Sequence, residues 1–278
     1  MLALARLSQA ELRALDDGPV DELLARACAV GAALIAATYP RAMVDLNREP
    51  WELDPEALRD PGAVPELRLT IKARAGLGVV PTRLLGETIY RDRLSSAELK
   101  RRLALVYQPY HAQLAAMLRE RQRRFGGSLV LDCHSMPTMP PLARAERPVD
   151  VALGDRFGRS CHPVLVDTAE RRLSAAGLKV ARNRPYAGGH ITERYGAPEL
   201  SCHALQLELR RGLFMHETTH EPHAGFAALQ EVLAGLVHAL IEAVQQLLPA
   251  SAARPPIPTG HAAAAAAAAG KALALRIA

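Results

Sequence analysis

Cysteine is scarce in this chain of 278 residues, which contains four cysteines and no C-x-x-C pair. They stand far apart, at Cys28, Cys133, Cys161 and Cys202. This spacing argues against a zinc knuckle and against the disulfide framework of a small secreted domain. We therefore expect a reducing compartment, the cytoplasm.

A long hydrophobic run is also missing from the start of the chain. The first residues, MLALARLSQAELRALDD, contain neither a long apolar core nor a small-residue cleavage site, so no signal peptide is predicted. The apolar stretch that follows, ACAVGAALIAA, is too short to cross a bilayer. We expect no membrane partner.

Lysine occurs only four times, so the formal charge of +5 comes almost wholly from arginines scattered among acidic residues. The densest basic run, RERQRR, continues an amphipathic pattern and has no interleaved aromatic residue on which a base could stack. We expect a solvated helix face there and no nucleic-acid partner. Such diffuse positive charge suits a small anionic ligand, and it gives no prediction of oligomeric state.

Strand-like and helix-like segments alternate along the chain. Apolar runs predict strands at AALIAATYP, AMVDL, SLVLDC, HPVLV and HALQLEL. Helical spacing predicts a helix from Val20 to Ala29, a second one that begins at the capping box of Ser95 and Glu98 and kinks near Pro109, and a third in AGFAALQEVLAGLVHALIEAVQQLL. The alternation predicts an α/β fold with three α/β/α layers and a mostly parallel central sheet.

A change of composition after residue 249 predicts the domain organisation. Residues 1–249 are expected to form a single α/β domain. Residues 250–278 form a low-complexity tail rich in proline and alanine, to which we assign no catalytic part. The alanine tract favours a helix but offers little apolar area for a core.

The strand-like run VLDCHSMP ends in polar residues. In parallel sheets ligands bind beyond the carboxyl ends of the strands, which is where His134 is expected. An imidazole next to a carboxylate such as that of Asp132 suits a metal ligand with an orienting partner. The alternative is a histidine that only makes structural hydrogen bonds at a strand end.

A second polar group flanks the run AMVDL, with one arginine before the run and an asparagine and an arginine after it. Arg41, Asn47 and Arg48 could bind a carboxylate, because guanidinium and amide groups bind carboxylates in bidentate fashion. The alternative is a surface loop with solvated arginines.

A third group lies in LQLELRR, where Gln206, Glu208 and Arg210 share one face of a strand with period two. Glu208 could act as a general base on a metal-bound water, or it could simply pair with an arginine. The segment NRPYAGGHIT adds a glycine turn with exposed donors, which alone predicts only a turn.

Seven segments in this order resemble the N-formylglutamate amidohydrolase family: RAMVDLNREP, TRLLGETIYRDRLSSAEL, QPYHAQLA, LDCHSMP, GDRFGRSC, NRPYAGGHITERYG and ALQLELRRGLFM. The resemblance covers roughly residues 11 to 248. It implies a hydrolase with one zinc ion that cleaves N-formyl-L-glutamate, a small dianionic substrate, to formate and L-glutamate. That reaction is the last step of one route of histidine degradation.

The order VDLNR, HS and a late glutamate is also distantly similar to zinc carboxypeptidases. The resemblance then implies that Asn47 and Arg48 bind a substrate carboxylate, that His134 binds zinc, and that Glu208 activates water. Other positions that match the family are expected to contact substrate: Arg41, Arg83, Asn183, Gly189, Thr192 and Arg211.

The chain also departs from the family pattern. It lacks the first strand of the family, with its Pro-His-Ser-Gly motif, whose histidine resembles a first zinc ligand. Asp17 matches an acidic family position and is the candidate carboxylate ligand, while His190 or His203 could replace the missing histidine. Arg210 stands where the family commonly has asparagine. The departures leave a second hypothesis open, a relative that binds acidic amino-acid derivatives without turnover.

Overall fold

The computed structural model describes residues 2–140, 147–248 and 273–277. The α-helices are α1 (Gln9–Leu12), α2 (Val20–Ala29), α3 (Ile71–Arg74), α4 (Ser96–Arg102), α5 (Gln108–Phe125), α6 (Pro163–Ala175), α7 (His190–Tyr195) and α8 (Gly225–Leu247). A π-helical turn, Leu103–Tyr107, joins α4 to α5. The strands are β1 (Ala33–Ala36), β2 (Arg83–Leu84), β3 (Glu87–Thr88), β4 (Ser128–Met136), β5 (Val151–Gly154), β6 (Val180–Arg182), β7 (Cys202–Arg210) and β8 (Leu273–Ile277).

The described residues form two compact units. The first unit comprises residues 2–17 and 37–115, and the second comprises residues 18–36 and 116–277. The prediction of a single domain over residues 1–249 stays a prediction.

The second unit contains a six-stranded sheet with the order β1-β8-β4-β7-β5-β6. All neighbouring strands in it run parallel except β5 and β7. A mixed α/β fold with a mostly parallel sheet was predicted from the alternation of segments and is confirmed. Its two longest strands, β4 and β7, lie side by side near the centre, and each contributes nine residues.

One face of the β4–β7 pair is part of the hydrophobic core. Leu205, Leu207 and Leu209 alternate along β7 and are fully buried with apolar residues of α2, α6 and α8. Burying one such leucine contributes about 1.5–3 kcal/mol. The period-two pattern therefore fixes which face of β7 points to the core and sends the intervening polar residues to the other face.

Helix α2 shows how apolar spacing in the sequence predicts a helix. Its buried residues Val20, Leu23, Leu24 and Ala27 follow the spacing of one helical face. The chain leaves the helix at Gly31, whose φ of 100° is readily adopted only by glycine. The predicted bounds, Val20 to Ala29, are confirmed.

Helix α8 is long and apolar enough to cross a membrane by length and composition alone. In the structure, however, its buried side chains belong to the core that it shares with α2 and α6. A core helix passes the same test, so α8 is weak evidence for a membrane segment.

Residues 273–277 form a strand that sequence analysis did not predict. Strand β8 lies between β1 and β4 and runs parallel to both. Its register places Ile277 beside Cys133, one residue before His134. The remainder of the predicted tail, including the alanine tract, lies outside the described residues.

Two predicted strands are wrong. The run HPVLV begins helix α6, because Pro163 occupies the first helical turn and the His162 side chain accepts a hydrogen bond from the Val164 amide. The run AMVDL forms turns although it is apolar and buried. Its backbone carbonyls bond to side chains instead of to a neighbouring strand.

Candidate active site

Strands β4 and β7 bring four polar side chains together. In the parallel register, His134 lies opposite Glu208, and Asp132 lies opposite Gln206. Neighbouring strands are about 4.8 Å apart, so the side chains of each pair are direct neighbours on one face of the sheet. His134 and Glu208, predicted separately from two distant segments, therefore lie together.

All four side chains of this polar cluster are buried. His134 Nε2 lies 3.1 Å from Asp132 Oδ1, and Gln206 Nε2 donates to Glu208 Oε1 at 2.7 Å. His134 and Glu208 thus each have a hydrogen-bond partner two residues earlier in the same strand. Such buried hydrogen bonds hold side chains in one geometry, which is what a catalytic base and a metal ligand require.

Arg211 belongs to the same region of the second unit. Its Nε donates to Ser135 Oγ at 3.0 Å, and its Nη1 lies 3.4 Å from His220 Nε2. Since Ser135 follows His134 in β4, the guanidinium is anchored to the strand that carries the candidate ligand. This position suits its predicted role as a contact for a substrate carboxylate.

Arg210 has a structural partner. Its Nη2 donates to Asp150 Oδ1 at 2.6 Å, and its amide donates to the Asp150 carbonyl oxygen at 2.9 Å. Asp150 is buried, so an arginine at position 210 compensates a charge that would otherwise be costly. The ion pair with Asp150 therefore gives Arg210 a structural role.

In the first unit, Asp17 and Arg41 form an ion pair with each other. The Arg41 amide also donates to Asp16 Oδ1 at 3.0 Å. The predicted metal ligand and the predicted substrate contact are therefore partners. Their separate roles stay predictions.

Asn47 and Arg48 lie at the end of the turn region 41–48, which we call the carboxylate loop. Asp45 Oδ1 accepts a hydrogen bond from the Asn47 amide at 2.8 Å, and Arg48 Nε lies 3.6 Å from Asp45 Oδ2. Arg48 is mostly buried, as a guanidinium that recognises a carboxylate away from water should be.

Arg83 lies in a different part of the first unit from Arg41. It lines an open cleft of about 370 Å³ together with Arg6, Arg91 and Arg93. Arg41 lines a separate, much smaller cavity. The two arginines thus line different cavities of the first unit.

The predicted glycine turn is present, but its polar groups serve the loop. Asn183 Oδ1 accepts the amide of Asp155 at 3.1 Å, and Asn183 Nδ2 donates to Asp155 Oδ1 at 2.6 Å. Gly189 caps α7, and Thr192 Oγ1 donates to the Gly189 carbonyl oxygen at 2.8 Å. Their predicted contacts with substrate stay predictions.

Of the two histidines considered as replacement ligands, His190 opens α7, a helix that contacts β7 and β4. His203 lies near the start of β7, opposite Leu129, and five residues before Glu208. At about 3.3 Å per residue, that is about 16 Å along the strand. The register therefore separates His203 from the polar cluster.

His203 is also poorly suited to bind a proton. It is buried, and its Nδ1 has no hydrogen-bond partner among the described residues. Burial, reinforced by the neighbouring His162, lowers the pKa of His203 to about 4. His203 is therefore a neutral imidazole that packs at the far end of β7 from Glu208.

A zinc ion would need a set of ligands. A catalytic zinc usually has three protein ligands, and His134 with its Asp132 partner has the chemistry of one of them. Among the described residues no group of three histidine, cysteine or acidic side chains could hold a metal ion. The described residues thus fit a single ligand and not a complete site, so no step of the reaction is derived through a metal.

Sequence reasoning missed Gln206 as the partner of Glu208 and Asp150 as the partner of Arg210. Gln206 could have been found from its period-two position two residues before Glu208. Asp150 could not, because it lies 60 residues away from Arg210 in the chain.

Known proteins support the resemblance. The sequence profile of the N-formylglutamate amidohydrolase family matches residues 1–215. An N-formylglutamate deformylase of Pseudomonas aeruginosa is 34% identical over 219 residues, which are 77% of this chain and 76% of that protein. One from Pseudomonas putida is 34% identical over 194 residues, 68% of this chain and 66% of that protein. The crystal structure of an N-formylglutamate amidohydrolase from Ralstonia eutropha JMP134 has a TM-score of 0.81 and 38% identity, and covers 87% of this chain and 88% of that one.

Proposed function

Because the chain belongs to the N-formylglutamate amidohydrolase family, we propose that it hydrolyses N-formyl-L-glutamate to formate and L-glutamate. The observation that carries the proposal is the buried pair of His134 and Glu208, which the β4–β7 register holds side by side. Each member has its own orienting partner. A pre-positioned carboxylate of this kind suits hydrolysis of a linear amide.

Glu208 is the proposed general base. Its carboxylate takes a proton from the attacking water as the oxygen bonds to the formyl carbon. When the carbon–nitrogen bond breaks, Glu208 returns that proton to the leaving amine. The hydrogen bond from Gln206 fixes the carboxylate before the reaction, so little ordering remains to be done in the transition state.

The substrate carries two carboxylates, so it needs more than one cationic contact. We propose that Asn47 and Arg48 bind one of them. Arg41, Arg83 and Arg211 are the candidates for the other. Arg211 is supported by its anchor on Ser135, while Arg83 is weakened by the separate cleft that it lines.

Zinc dependence is proposed from the family resemblance. His134 would be one ligand, with Asp132 orienting it, and Asp17 is a second candidate. Metal content of the purified protein, measured by elemental analysis, tests this part separately from activity.

The layer arrangement of the fold and the metabolic role of the protein are proposed from the same resemblance. We propose a three-layer α/β/α arrangement like that of zinc carboxypeptidases and a place in histidine degradation. All four cysteines are free thiols, which supports a reducing cytoplasm.

A second function has one specific observation in its favour. The described residues contain no three-residue metal-ligand set, as expected of a relative that binds acidic amino-acid derivatives without cleaving them. Such a protein would bind N-formyl-L-glutamate through Arg48 but release no formate.

The experiment is a formate-release assay on the purified full chain with N-formyl-L-glutamate, made with and without added zinc. The variant Glu208→Gln removes the proposed general base. The variant Glu242→Gln makes the same chemical change at the surface and serves as its control. Formate release that depends on Glu208 supports the hydrolase. Ligand binding by calorimetry without formate release under any metal condition would establish the binding protein instead.

A further inference from the structure

A π-helical turn interrupts the long helix of the first unit. The Gln108 amide donates to the Leu103 carbonyl oxygen, which is the five-residue spacing of a π-helix. Pro109 follows directly, and proline cannot donate the amide bond that an α-helix would require there. The structure thus shows a local change of helix type just before Pro109, and the predicted kink stays a prediction. Such turns often mark functional positions.

Three helix side chains around this turn bond to backbone carbonyls of the carboxylate loop. We call Arg102, Tyr107 and His111 the carbonyl clamp. Its bonds are Arg102 Nη1 to Met43 O at 3.3 Å, His111 Nε2 to Leu46 O at 3.1 Å, and Tyr107 Oη to Arg48 O at 2.9 Å. The carbonyl oxygen can only accept, so His111 carries its proton on Nε2.

The spacing of the clamp depends on the π turn. Arg102 and Tyr107 are five residues apart, and an ideal α-helix turns about 100° per residue, so they would point about 140° apart in it. The wider π turn lies between these two residues and reduces that difference, while Tyr107 and His111 keep the four-residue spacing of one α-helical face.

The N-terminal part of the clamp is itself anchored. Arg102 is fully buried and bonds to Glu98 at 2.8 Å and to the Tyr90 hydroxyl at 2.6 Å. Tyr90 Oη in turn donates to the Ala42 carbonyl oxygen at 3.0 Å. A buried arginine with several partners has little freedom to move, so the start of the loop is fixed through it.

The loop backbone is held from another direction as well. The Asp45 amide donates to the Val79 carbonyl oxygen at 2.7 Å. Between the clamp and this bond, the stretch that carries Asn47 and Arg48 has a defined backbone although it contains no strand or helix. This is the usual requirement for a precise binding group placed on a loop.

We propose that the π turn and the carbonyl clamp position Asn47 and Arg48 for the substrate carboxylate, which makes Arg102, Tyr107 and His111 positioning residues. The inference rests on the proposed function for the identity of the substrate. Loosening the clamp weakens substrate binding and leaves the chemistry at Glu208 unchanged.

Tyr107→Phe tests the clamp with the loss of one hydroxyl group. We expect KM for N-formyl-L-glutamate to rise about fivefold, because that factor corresponds to the free energy of one ordinary hydrogen bond. We expect kcat to change less than twofold. Hydrogen exchange of the amides of residues 42–48 should become faster. Tyr39→Phe, an exposed tyrosine beside the loop, is the matched control and should change neither quantity. An unchanged KM, or a fall in kcat alone, would overturn the proposal.

Insertion of one alanine after Leu105 tests the π turn. Leu105 is 45% exposed, so the added residue lengthens the turn on the solvent side and does not enter the core. Arg102 and Tyr107 would then be six residues apart, a spacing that turns Arg102 away from the loop, so KM should rise at least tenfold and exchange at residues 42–48 should become faster. The control Leu105→Ala keeps the chain length and should behave like the parent protein. A folded insertion variant with parental KM and exchange would contradict the inference, and if the insertion prevents folding, Tyr107→Phe decides alone.

The exchange measurement separates this inference from the proposed function. If the parent protein releases no formate, the proposed function fails, and the clamp is judged on exchange alone. Unchanged exchange in Tyr107→Phe then overturns it. Faster exchange confined to residues 42–48 supports it.

Discussion

The β4–β7 strand pair and the carboxylate loop hold their functional groups in opposite ways. In the strand pair, His134 and Glu208 are positioned by backbone register, with partners two residues away in the same strands. In the loop, Asn47 and Arg48 are positioned by helix side chains that lie 59 to 65 residues later in sequence than the carbonyls they bind. Tyr90, 48 residues after Ala42, adds a further bond. One arrangement is local and repetitive, whereas the other is long-range and specific.

The difference has energetic consequences. Strand register is supported by many backbone hydrogen bonds and by the leucine face of the core, so no single polar change should displace it. The loop depends on a few side-chain hydrogen bonds, each contributing about 0.5–1.5 kcal/mol. We therefore expect changes in the strand pair to affect chemistry, and changes near the loop to affect binding.

Glu208→Gln should have the largest effect. The amide keeps the size of the side chain but cannot accept a proton, so kcat should fall about a thousandfold, within the usual range for loss of a general base. KM should change little, because the loop is untouched. Formate release under saturating substrate measures this directly.

The matched control is Glu242→Gln, the same chemical change on an exposed face of α8. It should retain parental kcat. If a folded Glu208→Gln protein kept kcat within tenfold of the parent, Glu208 would not be the general base. The strand pair would then not differ from the loop in its effect on chemistry.

Arg48→Gln should have the next largest effect and should act on the other kinetic constant. A hydrogen bond to a charged group is worth about 1.5–3 kcal/mol, so KM should rise about 30-fold with kcat changed less than threefold. Steady-state kinetics with N-formyl-L-glutamate separate the two constants. Arg68→Gln, an exposed arginine paired with Glu49, is the control and should leave both unchanged. A fall in kcat with constant KM would show that Arg48 acts on the chemistry.

The same contrast explains which parts of the structure could be predicted. Strand β7 and helix α2 were predicted because apolar periodicity determines which side of an element is buried. The pairing of His134 with Glu208 needed the register, which the pattern alone does not give. AMVDL was mistaken for a strand because apolar runs report burial, and the side chains that bind its carbonyls lie far away in sequence. Strand β8 was missed because its neighbours in the chain are a low-complexity alanine tract.

Glu98→Gln should have a smaller effect, on stability. Hydrogen bonds from Arg101, together with those from Arg102, lower the pKa of Glu98 from 4.5 to about 2. The ionised carboxylate therefore stabilises the folded state above about pH 4.5, and this contribution is lost as the pH falls towards 2. Arg101 is half exposed, so we discount the effect for solvent screening to about 1–2 kcal/mol.

Urea unfolding at several pH values checks this prediction. The difference in unfolding free energy between the parent and Glu98→Gln should have its full size at pH 6 and should become smaller below pH 4.5. Glu66→Gln, the same change at an exposed position, should show no such difference. Because Glu98 holds Arg102, we also expect a small rise in KM. A difference in stability that does not depend on pH would mean that packing, and not charge, is responsible.

His203→Gln should have the smallest effect on activity. His203 shares β7 with Glu208 but lies at the other end, so kcat and KM should both stay within twofold of the parent values.

The stability of the fold should nevertheless respond to pH through His203, because the folded state keeps this imidazole neutral with a pKa of about 4, below the ordinary value of 6.5. The unfolded chain binds the proton first, so stability falls as the pH drops from about 6.5 to about 4. His203→Gln should remove that part of the pH dependence, whereas the exposed change His238→Gln should not. Loss of activity in a folded His203→Gln protein would place His203 in the reaction and contradict the register that separates the two ends of the strand.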